Sequence, residues 1–193
     1  MTTDTHGLRR KPMAVLGLLG CLAVVAGIHT LPLAIARVRQ HSEGLRSARA
    51  WFRGARLVTG ARIVLQERGN DCGAACLKMV LEARGIERGL AELRIAAGTT
   101  SSGASMQGLR LVAAHCGVAA RSWSVRAGDL GAVPLPAIAF INDDHFVVIR
   151  RFAAPGVLVV DDPALGRMEW PCSAFCRVWS GQLLVFDSHW VPP

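Results

Sequence analysis

The spacing of apolar residues changes once along this chain, near residue 117, and that change limits the possible folds more than any other feature. Before it, apolar side chains recur every three or four residues; after it, β-branched residues form short runs with a period near two. The pattern predicts helices over 72–84, 88–97 and 106–116, then strands over 118–125, 136–141, 145–152, 157–160 and 183–186. Helices followed by an antiparallel sheet indicate an α+β fold.

Cys72 has the most distinctive position in the first of these helices. Asp71 is a good N-cap residue, so Cys72 falls in the first turn, where free N–H groups and the helix dipole favour a thiolate. A thiolate of this kind is a competent nucleophile. Gln66, six residues upstream, can place a side-chain N–H beside the backbone N–H of Cys72. Two such donors form an oxyanion hole.

A histidine and a carboxylate suited to this cysteine follow on neighbouring strands. His145 begins a β-branched strand, and the next strand, 157–160, runs into Asp161 and Asp162. In an antiparallel hairpin these two ends lie side by side. The imidazole can then take the proton of the Cys72 thiol while the carboxylate fixes its tautomer. Cysteine, then histidine, then a carboxylate is the papain-like order.

These residues resemble peptidase family C39, the papain-like proteases that remove double-glycine leader peptides from bacteriocin precursors. The resemblance covers residues 63–187 and rests on a combination of spacings: Gln66, 71–77, 145–148, and Asp162-Pro163 with Gly166 after it. It implies a papain-like fold in which N-terminal helices pack on an antiparallel sheet. The substrate implied is the leader peptide of a secreted precursor.

The resemblance also implies a role for each candidate residue. Cys72 is expected to be the nucleophile, His145 the general base and acid, Asp162 the orienting carboxylate, and Gln66 the oxyanion donor, with no cofactor and no metal. Asp162 is preferred because the family places its acid directly before a proline, and Asp161 is then expected to face solvent. Residues 99–105 are candidates for lining the substrate groove.

The chain departs from the best-known family members in one respect. In those members this domain opens a long ABC transporter, whereas no nucleotide-binding region follows residue 190 here. We therefore expect an ATP-independent, free-standing peptidase that works with a separate ABC-type exporter. Two alternatives stay open: a non-proteolytic module that binds leader peptides for an exporter, and a papain-like amidase or acyltransferase with the same triad.

The distribution of charge argues against nucleic acid as a partner. Residues 1–62 hold ten Lys/Arg and two Asp/Glu, which accounts for the net charge of +8, whereas residues 63–193 hold twelve of each and are neutral. A nucleic-acid-binding domain would carry its own basic face. The basicity belongs instead to the segment ahead of the catalytic domain.

A membrane explains that basic segment. Residues 13–36 contain no Asp, Glu, Lys or Arg, and 24 residues are enough to span a hydrocarbon core of about 30 Å as a helix. A cleaved signal peptide is the alternative, because residues 34–36 fit an A-x-A site. The predicted organisation is a basic tail (1–12), a single transmembrane helix or signal peptide (13–36), an Arg-rich juxtamembrane segment (37–62) and a C39-like peptidase domain (63–190).

The side of the membrane is left open by the sequence. Six arginines between residues 37 and 56, against three basic residues before the span, favour a cytoplasmic catalytic domain at the bacterial inner membrane. An exported domain is the alternative. The 37–62 segment could be a helix lying on anionic lipid or a solvated linker helix.

The pattern favours a packing role for the remaining cysteines over a role in catalysis or metal binding. Cys76 lies one turn after Cys72 on the same helix face, and Cys116 has a similar position on its own helix, so both are expected in the core. Cys172 and Cys176 could form a disulfide if the domain is exported. Together with Cys72 and Cys76 they could also form a four-thiolate zinc site, although such sites usually use closer Cys-x-x-Cys pairs.

Overall fold

The structure is a computed structural model, and it describes residues 42–187 and 189–193 of the chain. The basic tail (1–12) and the apolar segment (13–36) therefore lie outside the described residues. Among the helices of the described part, none is both long enough and apolar enough to cross a bilayer.

Three of the helices follow the apolar pattern of the sequence. The described residues form α1 (Glu43–Phe52), α2 (Cys72–Glu82), α3 (Leu90–Ala96), α4 (Met106–His115) and the short α5 (Cys172–Phe175). The predicted helices correspond to α2, α3 and α4, whereas α5 was not predicted. Ser105 caps the start of α4, because its Oγ accepts a hydrogen bond from the Gly108 N–H at 3.0 Å.

One antiparallel sheet forms the rest of the domain. Its strands are β1 (Arg56–Leu57), β2 (Arg121–Ser124), β3 (Ala137–Ile141), β4 (His145–Ala154), β5 (Val157–Asp162), β6 (Gly166–Pro171) and β7 (Trp179–Val185). They are arranged in the order β1-β6-β5-β4-β3-β7-β2. The five predicted strands are present with shifted ends. The short β1 and the whole of β6 were not predicted.

The sheet has a hydrophobic core on each face, as alternation along β4 requires. Phe146 and Val148 pack with α2, α3 and α4 in one core, whereas Val147 and Ile149 belong to the other. The expectation of an α+β fold with the first predicted helix against the sheet is confirmed. The helix layer thus brings the start of α2 to the end of the sheet where β4 begins.

The segment before residue 63 is part of this domain. Residues 43–193 form one compact unit, so the packed domain begins 20 residues before the boundary expected from the resemblance. Ala50 on α1 is fully buried, and β1 pairs with β6 through Arg56 and Leu57. One face of α1 therefore packs on the domain, while Trp51 and Phe52 at its end are exposed.

Candidate active site

Helix α2 places Cys72 at its first residue, beside the sheet. The residues that follow, Ala74 to Leu77, are completely buried, and this packing fixes where the helix begins. A Cβ on Gly73 would lie 3.2 Å from Leu109 Cδ1 and 3.3 Å from Phe146 Cδ2, so only glycine allows such a close approach without displacement. Cys72 is 5% exposed.

The β4–β5 pair brings His145 and Asp162 together, as the sequence predicts. His145 is the first residue of β4 and Asp162 the last residue of β5. His145 Nε2 lies 2.9 Å from Asp162 Oδ1. Because this bond occupies Nε2, the other ring nitrogen, Nδ1, is the one available to the Cys72 thiol.

Asp162 is completely buried and accepts hydrogen bonds through both oxygens. Oδ1 accepts from His145, from the Ala164 N–H at 2.7 Å and from the Leu165 N–H at 3.2 Å. Oδ2 accepts from Arg53 Nη1 at 3.1 Å. Burial alone would raise the pKa of this carboxyl, but the hydrogen bond and charge of His145, the Ala164 N–H and the Arg53 charge together lower its pKa. Asp162 is therefore a carboxylate at neutral pH.

The protonation of His145 is governed by its two neighbours. Burial favours the neutral ring, yet interactions with Asp162 and with Cys72 raise the pKa of His145 to about 9. An imidazole with such a pKa is protonated at neutral pH. It can therefore act as a proton donor beside Cys72.

Gln66 lies at the same end of the sheet. Its backbone N–H donates to the Pro163 carbonyl at 2.9 Å, which joins it to the residue after Asp162. The side chain is buried at 8% exposure, and within the described residues Oε1 has no hydrogen-bond partner. Gln66 thus lies near the site, and its side-chain carbonyl oxygen accepts no hydrogen bond from the described residues.

Asp71 does not cap α2, which corrects the expectation from sequence. It occupies the position before the helix, but its side chain makes no capping bond. The completely buried carboxylate instead forms two short bonds with Arg94 of α3, at 2.6 and 2.8 Å, and accepts the Arg68 N–H at 3.0 Å. The pair ties the start of α2 to a second helix, directly beside Cys72.

Asp161 does not face solvent, which is a second correction. It is 1% exposed and forms bonds of 2.6 and 2.9 Å with Arg167, while Arg150 lies 3.4 Å away. A carboxylate buried at the end of a strand needs paired cations. The two adjacent aspartates thus have separate partners, and Asp162 alone bonds to His145.

The other cysteines within residues 42–187 have no part in this cluster. Cys76 is completely buried, as expected, and burial, followed by the nearby charge of Cys72, raises its pKa. Cys116, Cys172 and Cys176 are half-buried free thiols. Over residues 42–187 and 189–193, no three His, Cys, Asp or Glu side chains are placed to hold a metal ion.

A cleft of about 420 Å³ opens beside Cys72. Its walls combine the 102–105 loop, which was a candidate for the substrate groove, with apolar side chains and two acidic residues of the β3–β4 turn. The lining residues away from the loop are Met106, Phe140, Phe146, Asp143, Asp144 and Gln182. Cys72 therefore lies at the edge of an open cleft.

Comparison with known proteins identifies the family. The model of the peptidase C39 family matches residues 61–189. This chain belongs to the peptidase C39 family. It is therefore a cysteine-type peptidase with the papain-like fold of that family, as the resemblance implied.

Relatives and solved structures agree with this assignment. An uncharacterized protein of Methanothermobacter thermautotrophicus is 34% identical over 125 residues, 65% of this chain and 87% of that protein. The lactococcin-G-processing and transport ATP-binding protein LagD of Lactococcus lactis is 32% identical over 131 residues, 64% of this chain but 18% of LagD. A double-glycine-motif protease from an AMS/PCAT transporter, solved with its leader peptide, has a TM-score of 0.63 and 26% identity, covering 68% of this chain and 96% of that one.

Sequence reasoning missed two residues that shape the site of this C39 peptidase. Arg94 neutralises Asp71, and Arg53 bonds to Asp162 across 109 residues of sequence. No signal in the sequence identified them, because an acid that is buried and needs a cation looks like any other acid in sequence. Neither arginine belongs to a motif that would have identified it.

Proposed function

We propose that this C39 peptidase hydrolyses the peptide bond after a Gly-Gly-type leader sequence, in the maturation or export of a secreted peptide or protein. The observation that carries the proposal is the bonded His145–Asp162 pair, whose imidazole also interacts with Cys72 at the edge of a cleft. Further support comes from the similar double-glycine-motif protease that was solved with its leader peptide.

The first half of the proposed reaction forms a thioester. His145 Nδ1 holds the thiol proton, and the Cys72 thiolate attacks the scissile carbonyl carbon. The oxyanion receives hydrogen bonds from the Cys72 N–H, which is among the N–H groups at a helix start that lack intrahelical acceptors, and from the Gln66 amide. When the C–N bond breaks, the imidazolium gives its proton to the leaving amine.

The second half releases the leader. His145, now neutral, takes a proton from water while the resulting hydroxide attacks the thioester carbon. The C–S bond breaks, the leader leaves as a carboxylic acid, and the Cys72 sulfur recovers the proton held by the imidazolium. Asp162 keeps the ring in one tautomer throughout, because its Oδ1 accepts the Nε2–H.

The Gly-Gly requirement is proposed to arise from steric limits next to the sulfur. Cys72 is 5% exposed, so a substrate carbonyl must approach closely through a narrow opening. Glycine residues lack a Cβ and allow the closest approach of one backbone to another. Apolar side chains further along the cleft, including Met106 and Phe140, are then available to the rest of the leader.

Cleavage of synthetic leader peptides tests the proposed function. We expect the purified full-length protein to cut a leader peptide directly after Gly-Gly. Replacing both glycines with valine should lower kcat/KM at least about 100-fold, since the added Cβ branches would block the approach to the sulfur. Products are identified and quantified by mass spectrometry, with the Cys72→Ala protein as the control for contaminating proteases.

Three results would reject this function. Binding of the leader without cleavage would indicate a recognition module. Cleavage of the valine peptide at the same kcat/KM as the Gly-Gly peptide would show that the enzyme is not specific for double glycine. Transfer of the leader to an added amine, in preference to water, would instead indicate an acyltransferase.

We further propose that residues 13–36 tether the domain to the bacterial inner membrane, where a separate ABC-type exporter would receive the cleaved product. Support comes from the uncharged 24-residue segment and its flanking cations, which favour a cytoplasmic domain. After alkaline carbonate extraction, the full-length chain should stay with the membrane and a chain without residues 1–41 should be released. Release of the full-length chain would contradict a tether.

A further inference from the structure

The buried carboxylate of Asp162 has a bonding partner outside the region matched by the family. The match begins at residue 61, whereas Oδ2 of Asp162 accepts a hydrogen bond from Nη1 of Arg53 at 3.1 Å. Asp162 is completely buried and the Arg53 side chain is 35% exposed. Arg53 thus reaches from the surface into the interior of the site.

Packing at the end of α1 fixes the position of Arg53. The Arg53 carbonyl accepts a hydrogen bond from the Trp170 indole N–H at 3.1 Å, and Trp170 is completely buried. The Arg53 N–H donates to the carbonyl of the buried Ala50 at 3.0 Å. Gly54 has a φ of +74°, so the chain can turn towards β1 directly after this residue. Hydrogen bonds at both the N–H and the carbonyl of Arg53 therefore fix its backbone.

The two oxygens of Asp162 accept hydrogen bonds from different donors. Oδ1 accepts three hydrogen bonds, from His145 and from the N–H groups of Ala164 and Leu165. For Oδ2, the donor among the described residues is Arg53. A guanidinium has a planar, fixed set of donors, so this bond limits rotation of the carboxylate about its χ2 angle. The cation also offsets the buried negative charge.

We propose that Arg53 is a positioning residue for the reaction, which holds Asp162 so that Oδ1 stays aligned with His145 Nε2. The inference rests on the proposed roles of Cys72, His145 and Asp162. It extends the active centre to the residue directly after α1, ahead of the matched family region. Arg53 acts through Asp162 and does not touch the reacting atoms.

Three variants of the full-length protein test this role. We expect Arg53→Gln to lower kcat about 30-fold with KM changed less than about twofold, because the interaction serves the transition state and not substrate binding. Arg53→Lys should recover to within about fivefold of wild type, since an ammonium can still donate to Oδ2. Arg56→Gln is the matched control on the same segment. Arg56 pairs with Glu169 at the surface, and its loss should leave kcat within about twofold.

The pH profile separates positioning from general loss of structure. Arg53→Gln removes a cation near the thiolate–imidazolium pair, so both limbs of the kcat/KM profile should move to higher pH. The charged groups around this pair are Asp162 and Arg53, the Asp71–Arg94 pair at the start of α2, Asp143 and Asp144 of the β3–β4 turn, and Asp161 with Arg150 and Arg167 at the end of β5. Only the Arg53 charge changes in this variant. A destabilised but otherwise intact site would lose activity without moving either limb.

A second readout keeps this inference separate from the proposed function. The rate at which iodoacetamide alkylates Cys72, followed by peptide mass mapping, needs no leader peptide, and it should fall in Arg53→Gln and recover in Arg53→Lys. The proposal is overturned if Arg53→Gln keeps wild-type kcat and alkylation rate. It is also overturned if Gln and Lys variants lose activity equally with unshifted pH profiles. If no Gly-Gly peptide is cleaved by wild type, the proposed function fails while the alkylation result still decides the role of Arg53.

Discussion

Replacing His145 with alanine is expected to lower kcat by about 10⁴-fold or more while the domain stays folded. The ring is bonded to a buried carboxylate on one side and leaves Nδ1 for the Cys72 thiol on the other. Without it, no described group of the cluster can take the thiol proton or return it to the leaving amine. Steady-state cleavage of a Gly-Gly leader peptide at pH 7 measures the loss, and thermal unfolding monitors the fold.

His115 provides the matched control for this experiment. It is a histidine at the end of α4, and its Nδ1 lies 2.9 Å from the Leu111 carbonyl, in an exposed setting. His115→Ala should leave kcat within about twofold of wild type, since surface changes away from a site have small effects. A His145→Ala protein that keeps more than a tenth of wild-type kcat would show that the histidine is structural.

Replacing Arg94 with methionine is expected to destabilise the protein by about 3 to 5 kcal/mol, the largest stability effect predicted for a single side chain here. Arg94 makes two bonds to Asp71, which is completely buried, and a third to Glu67 at 2.8 Å. Methionine fills similar space but leaves the carboxylate without a cation. Urea unfolding of the purified protein, followed by tryptophan fluorescence, measures the free energy of unfolding.

Two companion variants show whether burial of the charge is the cause. Adding Asp71→Asn to the Arg94→Met protein removes the unpaired charge, so the double variant should be more stable than Arg94→Met alone. Arg88→Met removes an exposed pair with Glu92 and should cost less than about 1 kcal/mol. Equal losses for Arg94→Met and Arg88→Met would mean that the Asp71–Arg94 pair contributes little.

Local patterns predicted the elements that carry the reactive groups. The apolar repeat after Cys72 and the β-branched run after His145 depend on neighbours in sequence, so α2 and β4 begin at the predicted residues. The candidate triad followed, because a turn between consecutive strands brings their ends together. Strand β6 was missed although Met168 and Trp170 alternate with charged residues, so that its signal was available in the sequence.

Long-range pairs could not be predicted in the same way. A capping aspartate and an ion-paired one look alike in sequence, and the partner that distinguishes them, Arg94, lies 23 residues from Asp71. Arg53 lies 109 residues from Asp162 and outside any motif. Such contacts depend on how helices pack on the sheet, which local spacing does not specify. The pairing of Arg53 with Asp162 and of Arg94 with Asp71 is therefore not encoded in local sequence patterns.

Modification by an electrophilic leader peptide tests the central claim most directly. A leader peptide ending in Gly-Gly chloromethyl ketone alkylates the nucleophile that its carbonyl reaches, with loss of chloride. Mass mapping should find one adduct, on Cys72, formed at least about 100-fold more slowly in the His145→Ala protein. Adducts on Cys116, Cys172 or Cys176 in preference to Cys72, or an unchanged rate without His145, would contradict a Cys72–His145 nucleophile.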